Sequence, residues 1–166
     1  NNVSRALSAG KIDIYEAYSE IKKIKDVRQF TGILYGLSFV GVALFFTMML
    51  GGDFTDCMVA GIAGLAMAVT QWVLTPFGFN SFFLNMISTL SMALTAVGFK
   101  KFFLPGINID LVIIGGIMPI VPGVVFTTAM RDTLNGDYTA GVSRMLETGV
   151  VAFAVAVGVA LAYVIL

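Results

Sequence analysis

From Thr31 to Leu166 the chain is a series of apolar runs, most of them about twenty residues long, separated by short polar or glycine-rich turns. At a rise of about 1.5 Å per residue, twenty helical residues cover the roughly 30 Å hydrocarbon core of a bilayer. The charge content agrees: 12% of the 166 residues are charged and 58% hydrophobic, where ordinary soluble domains carry about 25% charge. In lipid every backbone polar group must be satisfied within the protein, which leaves helices or closed barrels, and runs of this length specify helices. The expected fold is an all-α integral membrane protein with about five transmembrane helices, residues 29–166 forming the membrane domain.

The first run, about Thr31 to Leu50, carries Gly32 and Gly36 as a pair that admits a neighbouring helix closely. Gly51-Gly52-Asp53 makes a turn, and Asp53 or Thr55 caps the second run, about Thr55 to Leu74, where Ala60, Gly64 and Ala68 form a packing stripe and Gln71 reads as interfacial. Pro76 and Gly78 turn the chain again. The third run, about Phe82 to Val97, is short for a full crossing, and Ser81, Asn85, Ser88 and Thr95 share one of its faces. Hydroxyls satisfy themselves on their own helix, whereas an Asn85 amide facing lipid is expensive. Lys100, Lys101 and Pro105 fill the next loop. Counted from an inside N-terminus that loop lies outside, against the positive-inside tendency, so either the third run stops short of crossing or the loop is an exception. Asn135-Gly136 stops a helix, Asp137 caps the last one, and Tyr138 to Leu166 continues it with Gly149, Ala152, Ala156 and Ala160 as a close-packing stripe.

The fourth run, about Ile109 to Arg131, cannot be one straight helix. Pro119 and Pro122 lack amide hydrogens, and their rings clash with the carbonyls four residues back, at Gly115 and Met118. A broken helix survives in a bilayer only where protein or a wet cavity surrounds it. Pro122 suits the first position of a second half-helix. Val121 before it has no oxygen with which to cap the amides of Gly123, Val124 and Val125, and the positive end of the helix dipole favours an anion there. Thr127 and Thr128, one turn on, either complete a polar pocket or bond back to their own helix. The whole break also reads as a kink that serves packing alone. The candidate substrate-binding residues are therefore Pro122, Gly123, Val124, Val125, Thr127 and Thr128, with Asn85 and Ser88 facing them from the third run.

Arg131, Asp132, Arg144 and Glu147 cluster around the Asn135-Gly136 turn. They either pair at the membrane surface and fix the turn or form a charged gate, with Arg131 and Asp132 at its mouth and Glu147 placed for proton coupling. Residues 1–28 are polar, and Ile12, Ile14, Tyr15, Ala17, Tyr18, Ile21 and Ile24 recur at helical steps. This predicts an amphipathic helix that Asp13 caps. Lys22, Lys23, Lys25 and Arg28 before the first run place the N-terminus in the cytoplasm, and the expected location is the cell's inner, or plasma, membrane.

The absence of histidine and the single cysteine, Cys57, speak against a disulfide framework and a zinc or haem site, so no metal or cofactor is expected. Ten basic and ten acidic residues leave no basic field for nucleic acid. No catalytic triad, phosphate loop or deep carboxylate pair is present, so no catalytic residue is assigned and the chain does not read as an enzyme.

Gly115 to Gly123, Thr127 to Asp132, Leu134 to Tyr138 with Gly141, Gly51-Gly52-Asp53, and Gly10 to Ala17 together resemble the membrane part of the threonine/serine exporter family, and the resemblance covers essentially the whole chain. It implies a secondary transporter that exports small polar metabolites, threonine- or serine-like amino acids or, in relatives split over two proteins, succinate-like dicarboxylates. It also implies an N-terminal cytoplasmic domain ahead of residue 1 and a second membrane half, either on a separate subunit or in a further part of the same chain; a second membrane subunit, a homo-oligomer or both are the expected partners. It assigns no substrate-binding residue. Two other classes fit the spans: a passive multimeric pore, which would not accumulate substrate against a gradient, and a scaffold subunit, which would move nothing in liposomes on its own.

Overall fold

The computed structural model describes residues 2–10, 13–19 and 32–166, in two units, Asn1–Thr31 and Gly32–Leu166. In the first unit the described residues hold two short helices, α1 (Asn2–Ser8) and α2 (residues 14–19), the second starting directly after Asp13. Gly10 separates them at φ 66°, a left-handed conformation that ends a helix. Asp13 precedes α2 and its carbonyl accepts the Ala17 amide at 2.9 Å. Ile14, Tyr15 and Tyr18 are exposed and Ala17 is buried. Ile12, Ile21, Ile24 and the basic group Lys22, Lys23, Lys25 and Arg28 lie outside the described residues.

The second unit contains α3 (Gly32–Met49), α4 (Phe54–Leu74), α5 (Ser81–Phe102), α6 (Ile109–Ile117), α7 (Gly123–Leu134) and α8 (Tyr138–Ile165), with a 3₁₀ turn at Thr75–Phe77 and no strand among the described residues. Among the described residues four helices are long and apolar enough to cross a membrane: α3, α4 with its 3₁₀ turn, α5 and α8. At nine and twelve residues, α6 and α7 reach only about 14 and 18 Å. Together they are the two pieces of the fourth apolar run, interrupted as its prolines require.

Small residues set the crossings. A Cβ at Gly64 would fall 2.9 Å from both the Ala43 Cβ and the Phe39 carbonyl oxygen, so α3 and α4 touch backbone to backbone there. Ala60 and Ala68 are buried on the same stripe. Gly158 of α8 sits as closely on α5, where its Cβ would lie 2.6 Å from the Met86 carbonyl. The core gathers Phe39, Ala43, Val59, Met67, Met92, Ala96, Val112 and Ile113, so α6 is embedded among α3, α4 and α5. The α8 stripe expected at Gly149, Ala152, Ala156 and Ala160 is instead exposed, and Gly141, Ala154, Val155, Gly158 and Ala162 are the buried set. Both sets are mostly small, and the positions of α5 and α7 decide which one is covered. Gly36 likewise meets nothing; it lines an open cleft of about 270 Å³ with Tyr35 and Trp72.

The Asn108 amide donates to Asp56 Oδ1 at 2.9 Å, so the α3–α4 and α5–α6 turns share one face of the bundle. Lys101 Nζ donates to the Leu166 carbonyl at 2.6 Å, which brings the end of α8 to that face. At 22 residues, about 33 Å, α5 is long enough for a full crossing. Lys100 and Lys101 therefore belong to its last turn and not to a loop. Cations suit the negative end of a helix dipole, and their stems can lie along lipid while the amines reach water. At the other end Phe153 stacks on Phe82 in the first turn of α5, ring centroids 6.2 Å apart. The stretch of α8 from Tyr138 to Ala152, about 22 Å by helical rise, continues past that end of α5 with α7 alongside.

Candidate functional site

The break begins where Pro119 withholds an amide. The Gly115 carbonyl takes the Met118 amide instead, and Ile120 and Val121 both donate to the Ile117 carbonyl. The chain then kinks: the Gly123 amide donates to the Val121 carbonyl at 2.9 Å across a tight turn. Pro122, with ψ 53°, is the N-cap of α7 and not its first helical residue, and its carbonyl accepts the Phe126 amide at 3.0 Å. Of the three amides expected to be free, Gly123 is therefore bonded. Val124 and Val125 have no backbone acceptor outside their helix among the described residues.

Two open cavities meet at Pro122. One, of about 460 Å³, is bounded by Val121, Pro122, Gly123 and Phe126 against Met145, Thr148, Gly149 and Ala152 of α8. The other, of about 490 Å³, runs from Ile113, Ile117 and Pro122 to Val155, Ala156 and Val159. The stripe of α8 that α5 leaves uncovered is their far wall. Almost all of this lining is apolar. Thr148 supplies its one hydroxyl, which donates to the Arg144 carbonyl at 2.9 Å. Thr127 and Thr128 both donate to the Val124 carbonyl, at 3.0 and 2.7 Å, as hydroxyls on helices do.

Asn85 and Ser88 line neither cavity. Both are buried on α5. Gln71 Nε2 donates to Asn85 Oδ1 at 3.5 Å, Asn85 Nδ2 donates to Ser81 Oγ at 3.3 Å, and the Tyr35 hydroxyl donates to Gln71 Oε1. Gln71, expected at the interface, is thus the centre of a buried polar link between α3, α4 and α5. Thr70 and Ser91, 2.8 Å apart, extend the same seam. Amides and hydroxyls in apolar helices find one another in this way. Nothing in the separate runs indicated which of them would meet.

At the far end of α7, Arg144 donates to Asp132 Oδ2 at 2.6 Å. The Asp132 carbonyl accepts the Asp137 amide, Gly136 takes φ 88°, and Asp137 Oδ1 accepts the Ala140 amide at 3.1 Å. Arg131 and Glu147 are exposed. A Cβ at Gly141 would come within 2.2 Å of Thr133 Oγ1, so α7 and α8 are in close contact at this turn. No group of three potential metal-ligating side chains occurs among the described residues.

The fold defines the class first: an all-helical, multi-span membrane protein with one interrupted helix. The ThrE family model, described as "Putative threonine/serine exporter", matches residues 1–166, and the chain belongs to that family, one of transporters and not of enzymes. No curated protein and no solved structure matches the chain.

Proposed function

We propose that the chain is a membrane subunit of an exporter for small polar metabolites bearing a carboxylate, threonine- or serine-like amino acids or succinate-like dicarboxylates. In this reading it lies in the cell's inner membrane with residues 1–28 as a cytoplasmic segment, and it works with a second membrane subunit or as a homo-oligomer. The observation that carries the proposal is the start of α7, where the Val124 and Val125 amides have no backbone acceptor outside their helix beside cavities bounded by Pro122 and Gly123. Two hydrogen bonds to a charged group contribute roughly 3–6 kcal/mol, and the helix dipole adds to them. Discontinuous helices hold carboxylates in this manner in other secondary transporters. Thr127 and Thr128 would supply hydroxyls by turning from the Val124 carbonyl. Asn85 and Ser88 would reach substrate only if α5 moved against α6, so the carboxylate end rests on α7. Arg131, about 13 Å along α7 from Pro122 by helical rise, acts with Asp132 and Glu147 as gate or coupling group.

Proteoliposomes holding the chain, alone and with any membrane protein that co-purifies, test this with L-threonine, L-serine and succinate. Pro122→Ala removes no donor but frees the backbone at the kink; by shifting the Val124 and Val125 amides it should lower transport about tenfold or more, the scale of one misplaced hydrogen bond to a charged group, and Asn85→Leu should lower it less. Unchanged transport in both variants would remove the proposed site.

A further inference from the structure

We propose that Asp56 is a positioning residue for the helix break: its carboxylate ties the start of α6 to the start of α4 and thereby sets the depth at which α6 ends and the Val124 and Val125 amides begin. The proposal rests on the reading of those amides as the substrate's carboxylate site.

Asp56 lies in the first turn of α4 and is 4% exposed. Its Oδ2 accepts the Asp53 amide at 3.1 Å, an ordinary cap of its own helix. Its Oδ1 accepts the Asn108 amide at 2.9 Å, across 52 residues of sequence, at the N-cap of α6. A residue that only started α4 would have no need of the second bond. Asp132–Arg144 is the one ion pair among the described residues, so backbone amides are what satisfy the buried Asp56 carboxylate. Removing either oxygen leaves a helix-start amide without its acceptor.

One turn further, α6 is pressed against α3. Thr47 Oγ1 lies 3.5 Å from the Leu111 carbonyl, and a Cβ at Gly115 would fall 2.0 Å from that same oxygen. From Asn108 to Ile117 the helix covers about 14 Å, which brings its end near the middle of a roughly 30 Å core. Beyond the break α7 buries only Ala129. The depth of the break is therefore set from the α6 side, and Asp56 is its fixed point.

The test uses the whole chain in proteoliposomes, in a Cys57→Ala background with Val121→Cys as a reporter for a membrane-impermeant maleimide. Asp56→Asn, which turns an NH₂ group toward an amide N–H, should change the labelling rate about tenfold or more, the scale of one hydrogen bond to a charged group. Asn108→Ala keeps the backbone amide and should label at the reference rate. With Cys57 and Val121 restored, Asp56→Asn should raise the KM for whichever probe is transported, L-threonine, L-serine or succinate, about tenfold while the maximal rate stays within about threefold. Unchanged labelling in Asp56→Asn overturns the proposal, as does Asn108→Ala behaving like Asp56→Asn, or a fall in maximal rate with KM unaltered. Should Asp56→Asn not fold, Asp56→Glu keeps the charge while moving the carboxylate by one methylene away from the Asn108 amide; a labelling shift supports the proposal and an unchanged rate overturns it. Shifted labelling with none of the three probes transported keeps Asp56 as the fixed point and removes the carboxylate reading instead.

Discussion

The interrupted passage has two halves that are held in different ways. In α6 five of nine residues are buried, Ile109, Val112, Ile113, Gly115 and Gly116, and the helix touches α3, α4 and α5. In α7 one of twelve is buried, Ala129, and the helix packs chiefly on α8. The sequences account for this. Apart from Asp110 in its first turn, Ile109 to Ile117 is apolar, as suits a helix packed against three others. Gly123 to Leu134 carries Thr127, Thr128, Arg131, Asp132 and Thr133, which suit a helix with a wet side. The break is therefore also the boundary between two packing groups, and α7 can shift with the start of α8 without dismantling the bundle. Elements with few buried contacts are the ones that open at low cost.

The largest expected effect tests the embedded half. Gly115→Val has no room, with the Thr47 amide and the Ala43 carbonyl at 2.9 and 3.0 Å from its Cβ as well as the hydroxyl. It should cost about 3 kcal/mol or more, as overpacking does, read in a mixed-micelle unfolding titration followed by the single tryptophan, Trp72. Gly123→Ala, where a Cβ meets nothing within 4 Å, should stay within about 0.5 kcal/mol of the parent, since a helical Gly→Ala change is neutral to favourable. Equal losses in the two variants would break the comparison. Next in size, Gly141→Val should cost about 2 kcal/mol through the contact with Thr133 and the Ala129 carbonyl. Hydrogen exchange should place that loss in α7 and the start of α8, with the amides of α3 to α5 as protected as before.

The features that could be read in the sequence were local ones. The break at Pro119 and Pro122 and the stop at Gly136 with its Asp137 cap depend on residues a few positions apart, and all stand in the structure. What depended on a partner could not be read. The length of α5 was misjudged because Lys100 and Lys101 look like loop residues unless the helix end and the Leu166 carbonyl are known to be there. The wrong stripe of α8 was chosen because two faces of one helix carried equally small residues. Gln71 looked interfacial because nothing in its own run indicated that Tyr35 and Asn85 would converge on it. The Asp56 carboxylate gave no signal beyond that of an acid at a helix start.

The two smallest effects sharpen the comparison by asking how much polar contacts hold each half. In the α3–α5 bundle that encloses α6, Gln71→Leu removes the link from Tyr35 to Asn85. Interhelical hydrogen bonds in membrane proteins contribute about 0.6 kcal/mol on average and rarely more than about 1.7, so the same micelle titration should show a loss of about 1 kcal/mol. In the α7–α8 half the corresponding contact is Asp132–Arg144, whose side chains are 23% and 44% exposed. Water and salt screen such a pair, and exposed pairs contribute about 0.2–1 kcal/mol at most. Arg144→Ala should therefore shift the titration by no more than about 0.5 kcal/mol, and high salt should abolish the difference. A larger, salt-insensitive loss would mean that α7 is held by charge as firmly as α6 is held by packing, and the two halves would then differ in chemistry without differing in mobility.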